Sequence, residues 1–312
     1  LIAIPFFMLT GSLMMGGRLG AALVGVLSTL IGRFHGGPAQ VGVLSSTLFG
    51  GVSGSAVADA SAIGSLLIPW HKKLGYPPAF SAATLAAAAT IDILIPPSIP
   101  MILFALTANA SIAALFVAGI LPGLLMCGGF MFMCWWVGRR RNFPRDTTPI
   151  DWSVFRTHLL YALPALLLPV LIVVFLRFGI ATPTEVAVLS TLYAAAVSVV
   201  VYRDLSLKRL NDAVVHAGLA TGVVLLVIMA SSAIGWLLTY DQMPAGVANW
   251  VTQNVDQDWI VILIMNLLML LLGMFIDLPA AVLLLTPVFL PLAQSIGMDP
   301  VQLGIMMVVN LA

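Results

Sequence analysis

Apolar stretches follow one another along most of this chain, with few charged residues between them. The stretches at 115–137, 159–178, 185–202 and 213–238 each reach or approach the roughly 20 residues that an α-helix needs to cross a bilayer. Only 8% of the residues are charged, whereas a soluble domain carries about 25%. Helices of this length satisfy their own backbone hydrogen bonds in lipid. We therefore predict an all-α polytopic membrane protein.

The composition and the motifs argue against several classes of function. A formal net charge of +1 gives no electrostatic reason to expect a nucleic-acid partner. Cys127 and Cys134 are too few for a zinc site or a disulfide framework, and the four histidines are dispersed. The sequence contains no phosphate-binding loop, no Gly-x-Ser-x-Gly elbow and no His-Glu-x-x-His pair. We expect no enzyme, no catalytic residue, no cofactor and no transition metal.

Two segments inside the apolar sequence are rich in residues that interrupt a helix. The segment 49–59 reads FGGVSGSAVAD, in which the glycines permit a tight turn while Ser53 and Ser55 offer hydroxyl oxygens. The segment 91–100 reads IDILIPPSIP, and its two consecutive prolines prevent helical hydrogen bonding around Ile95. Interrupted helices of this kind point to the binding site of a transporter. The alternative is that the small residues only let helices pack closely.

The order of these features predicts two helical hairpins and one broken helix. We expect a re-entrant hairpin at about 38–69, followed by a solvated loop at 71–73. The segment 79–108 forms a helix that is broken in its middle. A second hairpin, at about 259–293, turns at the sequence GMFID, residues 273–277. Both turns lie where irregular backbone must be buried in protein or line a wet cavity.

A spacing pattern relates the two halves of the chain. Pro-x5-Gly-x2-Pro begins at Pro69 and recurs at Pro291, and the same offset places the first hairpin turn on the second. Five predicted crossings separate the hairpins, so they enter the membrane from opposite faces. We therefore predict an inverted repeat with two re-entrant helical hairpins and broken helices.

The repeat divides the chain into three parts. Residues 1–108 form the first repeat, 109–212 hold connecting and scaffold spans, and 213–312 form a truncated second repeat. The offset carries the counterpart of the proline loop beyond Ala312, so we expect that loop to lie outside this sequence. On this reasoning the 312-residue chain alone should not transport.

The basic residues give the layout an orientation. Eleven Lys and Arg residues fall on one side of the predicted topology, and only Arg18 and Arg177 fall on the other. The positive-inside rule makes the first side cytoplasmic, with 139–157 as a cytoplasmic interfacial segment. The eleven are Arg33, Lys72, Lys73, Arg139, Arg140, Arg141, Arg145, Arg156, Arg203, Lys208 and Arg209.

Three acids are predicted deep in apolar surroundings, where a carboxylate is paired, protonated or functional. Asp92 precedes the proline break, where it could bind a cation, carry a proton or cap a helix. Asp277, at the second turn, could face a ligand or act as the N-cap of the next helix. For Asp59 we favour a structural role.

Several motifs in combination resemble the large membrane subunit, or permease, of TRAP (tripartite ATP-independent periplasmic) transporters, and the resemblance runs over the whole chain. The motifs are IPFF at 4–7, FGGVSGSAVAD at 49–59, IPPSIP at 95–100, AGILPG at 118–123, ATPTE at 181–185 and LGMFID at 272–277.

The resemblance implies an elevator-type, ion-transporter-like fold and a sodium-coupled import of organic acids such as dicarboxylates or sialic acid. A periplasmic substrate-binding protein would deliver the substrate, and a small membrane subunit would brace the large one. One Na⁺ is implied at Ser53 and Ser55 with the loop around Ile95 and Pro97, and a second at Gly273. Na⁺ would be the only metal.

This chain departs from the family where Asp92-Ile93 replaces a common Gly-Pro. We therefore add Asp92 to the candidate cation ligands, and we take Gly54, Ser98 and Asp277 as candidates that face the substrate. Two alternatives stay open. One is a stand-alone sodium–dicarboxylate carrier that needs no partner protein, and the other is a membrane scaffold subunit without transport activity.

Overall fold

The structure, a computed structural model, describes residues 2–15, 19–145, 152–255 and 257–312, so Arg18 and residues 146–151 of the predicted interfacial segment lie outside it. The described residues form fourteen α-helices and no strand, which confirms the all-α prediction. The helices are α1 Ala3–Met15, α2 Leu19–Ile31, α3 Gly37–Ser53, α4 Ala56–Lys73, α5 Pro78–Asp92, α6 Ile99–Ala108, α7 Ile112–Arg140, α8 Trp152–Arg177, α9 Pro183–Val200, α10 Leu207–Tyr240, α11 Met243–Asn254, α12 Asp258–Gly273, α13 Leu278–Ser295 and α14 Pro300–Leu311.

Five of the described helices are long and apolar enough to cross a membrane, namely α7, α8, α9, α10 and α13. Four of them match predicted spans. Helix α13 also qualifies, although we predicted it as one arm of the second hairpin. Large apolar side chains such as Leu121 and Leu125 on α7 are exposed, as expected for a surface that meets lipid. The polytopic membrane prediction is confirmed.

Local sequence signals explain where several helices begin. Proline occupies one of the first two positions of α3, α5, α9, α13 and α14, where its missing N–H costs no helical hydrogen bond. The start of α9 is a capping box: the Thr182 N–H donates to Glu185 Oε2 (2.7 Å), and the Glu185 N–H donates to Thr182 Oγ1 (3.4 Å).

The first hairpin consists of α3 and α4, joined by Gly54 and Ser55. It packs with α5 as a three-helix unit. Gly42 in the middle of α3 shows the arrangement, because a Cβ built there would lie 2.7 Å from Leu85 Cδ2 of α5 and 3.6 Å from Leu67 Cδ1 of α4. The order of contacts along the chains makes α4 antiparallel to α3 and α5 parallel to it.

The predicted solvated loop at 71–73 is wrong. Helix α4 continues through Lys73, and the His71 side chain is fully buried. Its Nε2–H donates to the Pro38 carbonyl at the start of α3 (2.8 Å), and its ring lies beside Tyr76. These contacts stabilise the last turn of α4, while Lys72 and Lys73 remain exposed. The interfacial segment 139–157 is also more helical than expected, since α7 runs to Arg140 and α8 begins at Trp152.

The second hairpin consists of α12 and α13, joined by residues 274–277. Helix α13 packs against α6, the second half of the broken helix, and α14 packs beside both. Contact between α14 and α6 is close, because a Cβ at Gly304 would lie 2.6 Å from the Phe104 ring. The broken helix therefore contacts both hairpins, and this arrangement brings the two tips toward the same space.

Candidate functional site

A cavity of about 490 Å³ lies between the tips of the two hairpins. Gly54, Ser55, Ala56 and Val57 line it from the first hairpin, and residues 273–279 line it from the second. The broken helix lines the cavity with Ile93, Ile99 and Pro100. The rest of the wall consists of Met8, Val224, Leu311 and Ala312. The cavity thus joins Gly54, Ser55, Gly273 and Asp277, four of the predicted site residues.

The first hairpin tip contacts the proline loop directly. Gly54 adopts a left-handed conformation (φ +64°), and its N–H donates to the Gly50 carbonyl (3.2 Å). A Cβ at position 54 would lie only 2.5 Å from the Pro97 carbonyl oxygen. Ser55 is half-buried at the N-cap of α4 with extended backbone. The side chain of Ser53, the last residue of α3, lies outside the described part of the structure.

The proline loop leaves backbone oxygens without helical partners. The Leu94 and Ile95 N–H groups both donate to the Ile91 carbonyl. The next two residues are prolines without an N–H, so the Asp92 and Ile93 carbonyls receive no i+4 hydrogen bond from them. Oxygens of this kind are what a hard cation takes as ligands.

The two remaining predicted residues of this region lie away from the cavity. The Ile95 side chain lines a separate apolar pocket with Pro96 and Pro169, so only its backbone is a candidate for the cation. Ser98 is fully buried, and its Oγ accepts a hydrogen bond from the Met101 N–H (3.4 Å) as the N-cap of α6.

Asp92 and Asp59 form an acidic pair behind the first tip. Both side chains are fully buried, Asp92 at the end of α5 and Asp59 in the first turn of α4. The two carboxyl groups are close enough to interact electrostatically. Among the described residues, no group donates a hydrogen bond to either Asp92 oxygen. Gly50 makes room, because a Cβ there would lie 2.4 Å from Asp92 Cα.

Our sequence reasoning missed this pairing, since it assigned Asp59 a structural role. The sequence could have shown only half of it, the level of Asp59 in the hairpin. Helix α4 runs antiparallel to α3 from a two-residue turn, so Asp59 lies opposite Gly50 in α3. Asp92 lies against the same glycine from α5. Three helix positions therefore meet at one level.

The second tip has a different environment. A Cβ at Gly273, the last residue of α12, would lie 3.1 Å from Leu311 Cα at the end of α14. Asp277 occupies the N-cap position of α13, but its side chain accepts no capping hydrogen bond. The Asp277 side chain is exposed and lines the cavity, which leaves its carboxylate available to a ligand.

Comparison with known proteins places the chain in one family. The family model for the DctM component of the tripartite ATP-independent periplasmic transporter matches residues 1–312. A Sinorhizobium fredii protein is 58% identical over 311 residues, which cover 100% of this chain and 74% of that protein. The C4-dicarboxylate TRAP transporter large permease of Pseudomonas aeruginosa is 36% identical, with 100% of this chain and 73% of that permease covered.

The sialic acid TRAP transporter large permease of Vibrio cholerae is also 36% identical, again with 100% of this chain and 73% of the permease covered. These matches agree with the helical membrane fold and with the motifs at both hairpin tips. The chain therefore belongs to the DctM family, the inner-membrane large permease component of the tripartite ATP-independent periplasmic transporters.

Proposed function

We propose that this chain is the large membrane subunit of a sodium-coupled importer of organic acids. One observation carries the proposal: three helices begin at the cavity between the hairpin tips. They are α4 after Ser55, α6 after Ser98 and α13 after Asp277. Unpaired N–H groups and the partial positive charge of a helix N-terminus favour an anion. A carboxylate substrate in this cavity would therefore meet three favourable helix ends.

The relatives support the class of substrate. One is named for C4-dicarboxylates and another for sialic acid, and both are organic acids. Asp277 is the one charged residue among the described residues that line the cavity, and its carboxylate lies beside the α13 N-terminus. Delivery by a periplasmic binding protein and bracing by a small membrane subunit follow from the tripartite organisation of the family.

The first cation site in this proposal lies where the hairpin tip meets the proline loop. Ser53, Ser55 and Asp92 would contribute side-chain oxygens, and Ile95 and Pro97 would contribute backbone. These residues suit Na⁺ because the Pro97 carbonyl lies beside Gly54 and because all the donor atoms are oxygens. Gly273 would belong to a second site. A bound Na⁺ would stabilise the tip against the loop before the substrate enters.

The mechanism in this proposal is an elevator. The hairpins at 38–69 and 259–293 would be re-entrant and would move with the bound substrate against a scaffold. Residues 1–108 and 213–312 would hold the two inverted repeats, and 109–212 would connect and support them. The contacts of the broken helix, α5 with the first hairpin and α6 with α13 and α14, support a moving unit that includes it.

The test is uptake by the full-length protein together with its two partner components in proteoliposomes. We expect accumulation of a carboxylic acid to require an inward Na⁺ gradient and the binding protein. Uptake that ignores Na⁺ would contradict the sodium coupling. Uptake without the binding protein would instead favour a stand-alone carrier.

A further inference from the structure

A second cavity, of about 350 Å³, shares no lining residue with the cavity between the hairpin tips. Ile95 and Pro96 line it from the proline loop, and Thr47 lines it from α3. Helices α7 and α8 form the other walls, which include Leu124 and Val170. These two side chains are 55% and 54% exposed, so the cavity opens on the outer surface of α7 and α8. The function proposed above gives this cavity no role.

The lining of this second cavity does not suit a polar occupant. Its only polar side chain among the described residues is that of Thr47, and the Thr47 Oγ1–H already donates to the Val43 carbonyl (2.9 Å). Apolar cavities of this kind stay dry or bind an apolar ligand. The volume lies at the small end of the range for ligand sites, about 300–1,000 Å³. An ion or an organic acid is therefore a poor occupant, whereas a hydrocarbon chain is a good one.

The opening of the cavity faces the bilayer, because α7 and α8 are both long and apolar enough to cross a membrane. One face of α7 runs from this opening to the end of the helix. The residues on that face follow one another at helical spacing, and they are Leu124, Gly128, Phe132, Trp135 and Arg139. All are exposed except Trp135, which is half-buried, and a Cβ built at Gly128 would meet no atom within 4 Å. This face is therefore an open path along the helix.

The path ends at a positive charge. Arg139 lies over the Trp135 ring (5.5 Å to its centroid), and Arg140 lies over the Trp136 ring (5.7 Å). Both arginines are exposed, and neither forms an ion pair with an acid of the described residues. Tryptophan and arginine together are typical of the membrane–water interface. Leu124 lies about 22 Å from Arg139 along the helix axis, which is close to the depth of one leaflet with its headgroups, about 20–22 Å.

A helix of the small membrane subunit is the other possible cover of this face. Close helix packing in membranes uses small residues four positions apart. The residues four positions from Gly128 are Leu124 and Phe132, which are both large. The unpaired arginines at the interface instead suit the headgroup of an anionic lipid. The face therefore fits a lipid better than a helix.

We propose that this face and the second cavity bind one anionic phospholipid. Its headgroup would lie at Arg139 and Arg140, and one acyl chain would follow α7 and end in the cavity against Ile95 and Pro96. In the elevator proposed above, the chain would lie between α8 of the supporting part and the proline loop of the moving unit. The lipid would thus form part of the wall along which the loop moves. Binding itself needs no sodium coupling, so it can be measured separately from transport.

The test is photolabelling of the full-length complex, with its partner subunits, in phosphatidylcholine vesicles. The probe is a trace of phosphatidylglycerol that carries a diazirine at the end of one acyl chain. We expect mass spectrometry to find label at Leu124 and Val170, well above the label at Leu192. Leu192 is a reference for ordinary lipid contact, because it is 62% exposed on α9 and lies outside the cavity.

Two filling variants and one control test the cavity. Val170→Trp and Leu124→Trp fill it from α8 and from α7, and each should lower the remaining cavity label to the level at Leu192. Val199→Trp is the matched control, since Val199 on α9 has the same 54% exposure as Val170 and lies outside the cavity. It should leave the cavity label unchanged.

A charge variant tests the headgroup. Arg139→Gln should lower the cavity label from the phosphatidylglycerol probe by about fivefold, the effect of one basic residue on an anionic lipid. A phosphatidylcholine probe with the same chain should label the variant and the wild type alike. Lys208→Gln, at an exposed position in the first turn of α10, is the control and should change neither label.

Three results would overturn the inference. Equal label at Leu124, Val170 and Leu192 would leave only ordinary contact with the bilayer. A crosslink from Leu124→p-benzoylphenylalanine to the small subunit would assign the face to a partner helix. Equal cavity label from the two probes in the wild type would remove the headgroup site at Arg139. Absence of Na⁺-driven uptake in a complex that carries the cavity label would instead refute the proposed function and support this inference on its own.

Discussion

The two hairpin tips keep their polar groups in different places. At the first tip the acids Asp59 and Asp92 are fully buried behind the turn. At the second tip Asp277 is exposed on the cavity wall, and its neighbours Met274 and Phe275 are 77% and 81% exposed. Oxygens enclosed by protein suit an ion that must lose its water, whereas an exposed tip suits a substrate that enters and leaves. We therefore propose that the ion at the first tip is enclosed by protein, whereas the second tip presents the Asp277 carboxylate to the cavity that both tips line.

The strongest test of this difference exchanges the two glycines of the tips for alanine. Gly54→Ala combines a left-handed backbone, which costs roughly 1–2 kcal/mol for other residues, with a Cβ 2.5 Å from the Pro97 oxygen. We expect uptake to fall by at least about tenfold, since 1.4 kcal/mol corresponds to a factor of ten. Gly273→Ala should have a smaller effect, because its Cβ would meet Leu311 Cα at 3.1 Å and the backbone is helical.

Gly179→Ala is the matched control for backbone strain. Gly179 has the same φ of +64° as Gly54, but a Cβ there would meet no atom within 4 Å. The control should lower thermal stability slightly and leave uptake near the wild-type level. If Gly179→Ala and Gly54→Ala reduced uptake equally, strain alone would explain both, and the contact between tip and proline loop would have no special role.

We expect a change of intermediate size, in the KM for substrate, when the exposed acid of the second tip is replaced. Asp277→Asn removes a negative charge from the wall of a cavity that we propose to hold an anion. Exposed charges interact by about 0.2–1 kcal/mol, so the KM for substrate should fall up to about fivefold. The melting temperature should stay unchanged because the carboxylate caps no N–H group. A rise in KM would mean that the Asp277 carboxylate contacts the substrate favourably, contrary to this expectation.

Those parts of the fold that depend on local sequence could be predicted. Apolar length identified α7, α8, α9 and α10, and the Gly-Ser turn and the double proline located the first tip and the break. The capped start of α9 is equally local, because Thr182 and Glu185 are only three residues apart. In each case the signal lies within one helix or one turn, so no knowledge of packing was needed.

The parts that depend on packing could not be predicted. The sequence HKK at 71–73 is polar enough for a loop, yet His71 donates to a carbonyl 33 residues away and α4 continues. The pairing of Asp59 with Asp92 requires three helices to meet at Gly50, and no local pattern encodes their relative height. The burial of Ser98, whose hydroxyl caps α6, also depends on packing, and its position facing the substrate stays a prediction.

We expect the smallest change in function when the Ser98 N-cap of α6 is removed. This variant tests whether the first tip depends on the broken helix. Ser98→Ala removes an N-cap worth about 1 kcal/mol, which should lower Tm by roughly 2 °C. Ser111→Ala is the matched change, because Ser111 Oγ accepts from the Ala114 N–H at 3.2 Å as the N-cap of α7. Its stability loss should be similar.

The two variants should differ in substrate affinity. Ile99 and Pro100, the first residues of α6, line the cavity, and the α7 N-terminus is not among the residues that line it. Loosening the α6 N-terminus should therefore raise the KM by about twofold, which corresponds to a few tenths of a kcal/mol, whereas Ser111→Ala should leave it unchanged. Equal KM values with equal losses of Tm would reduce Ser98 to a structural cap. A far larger rise in Ser98→Ala alone would mean that its hydroxyl reaches the substrate when the tips move.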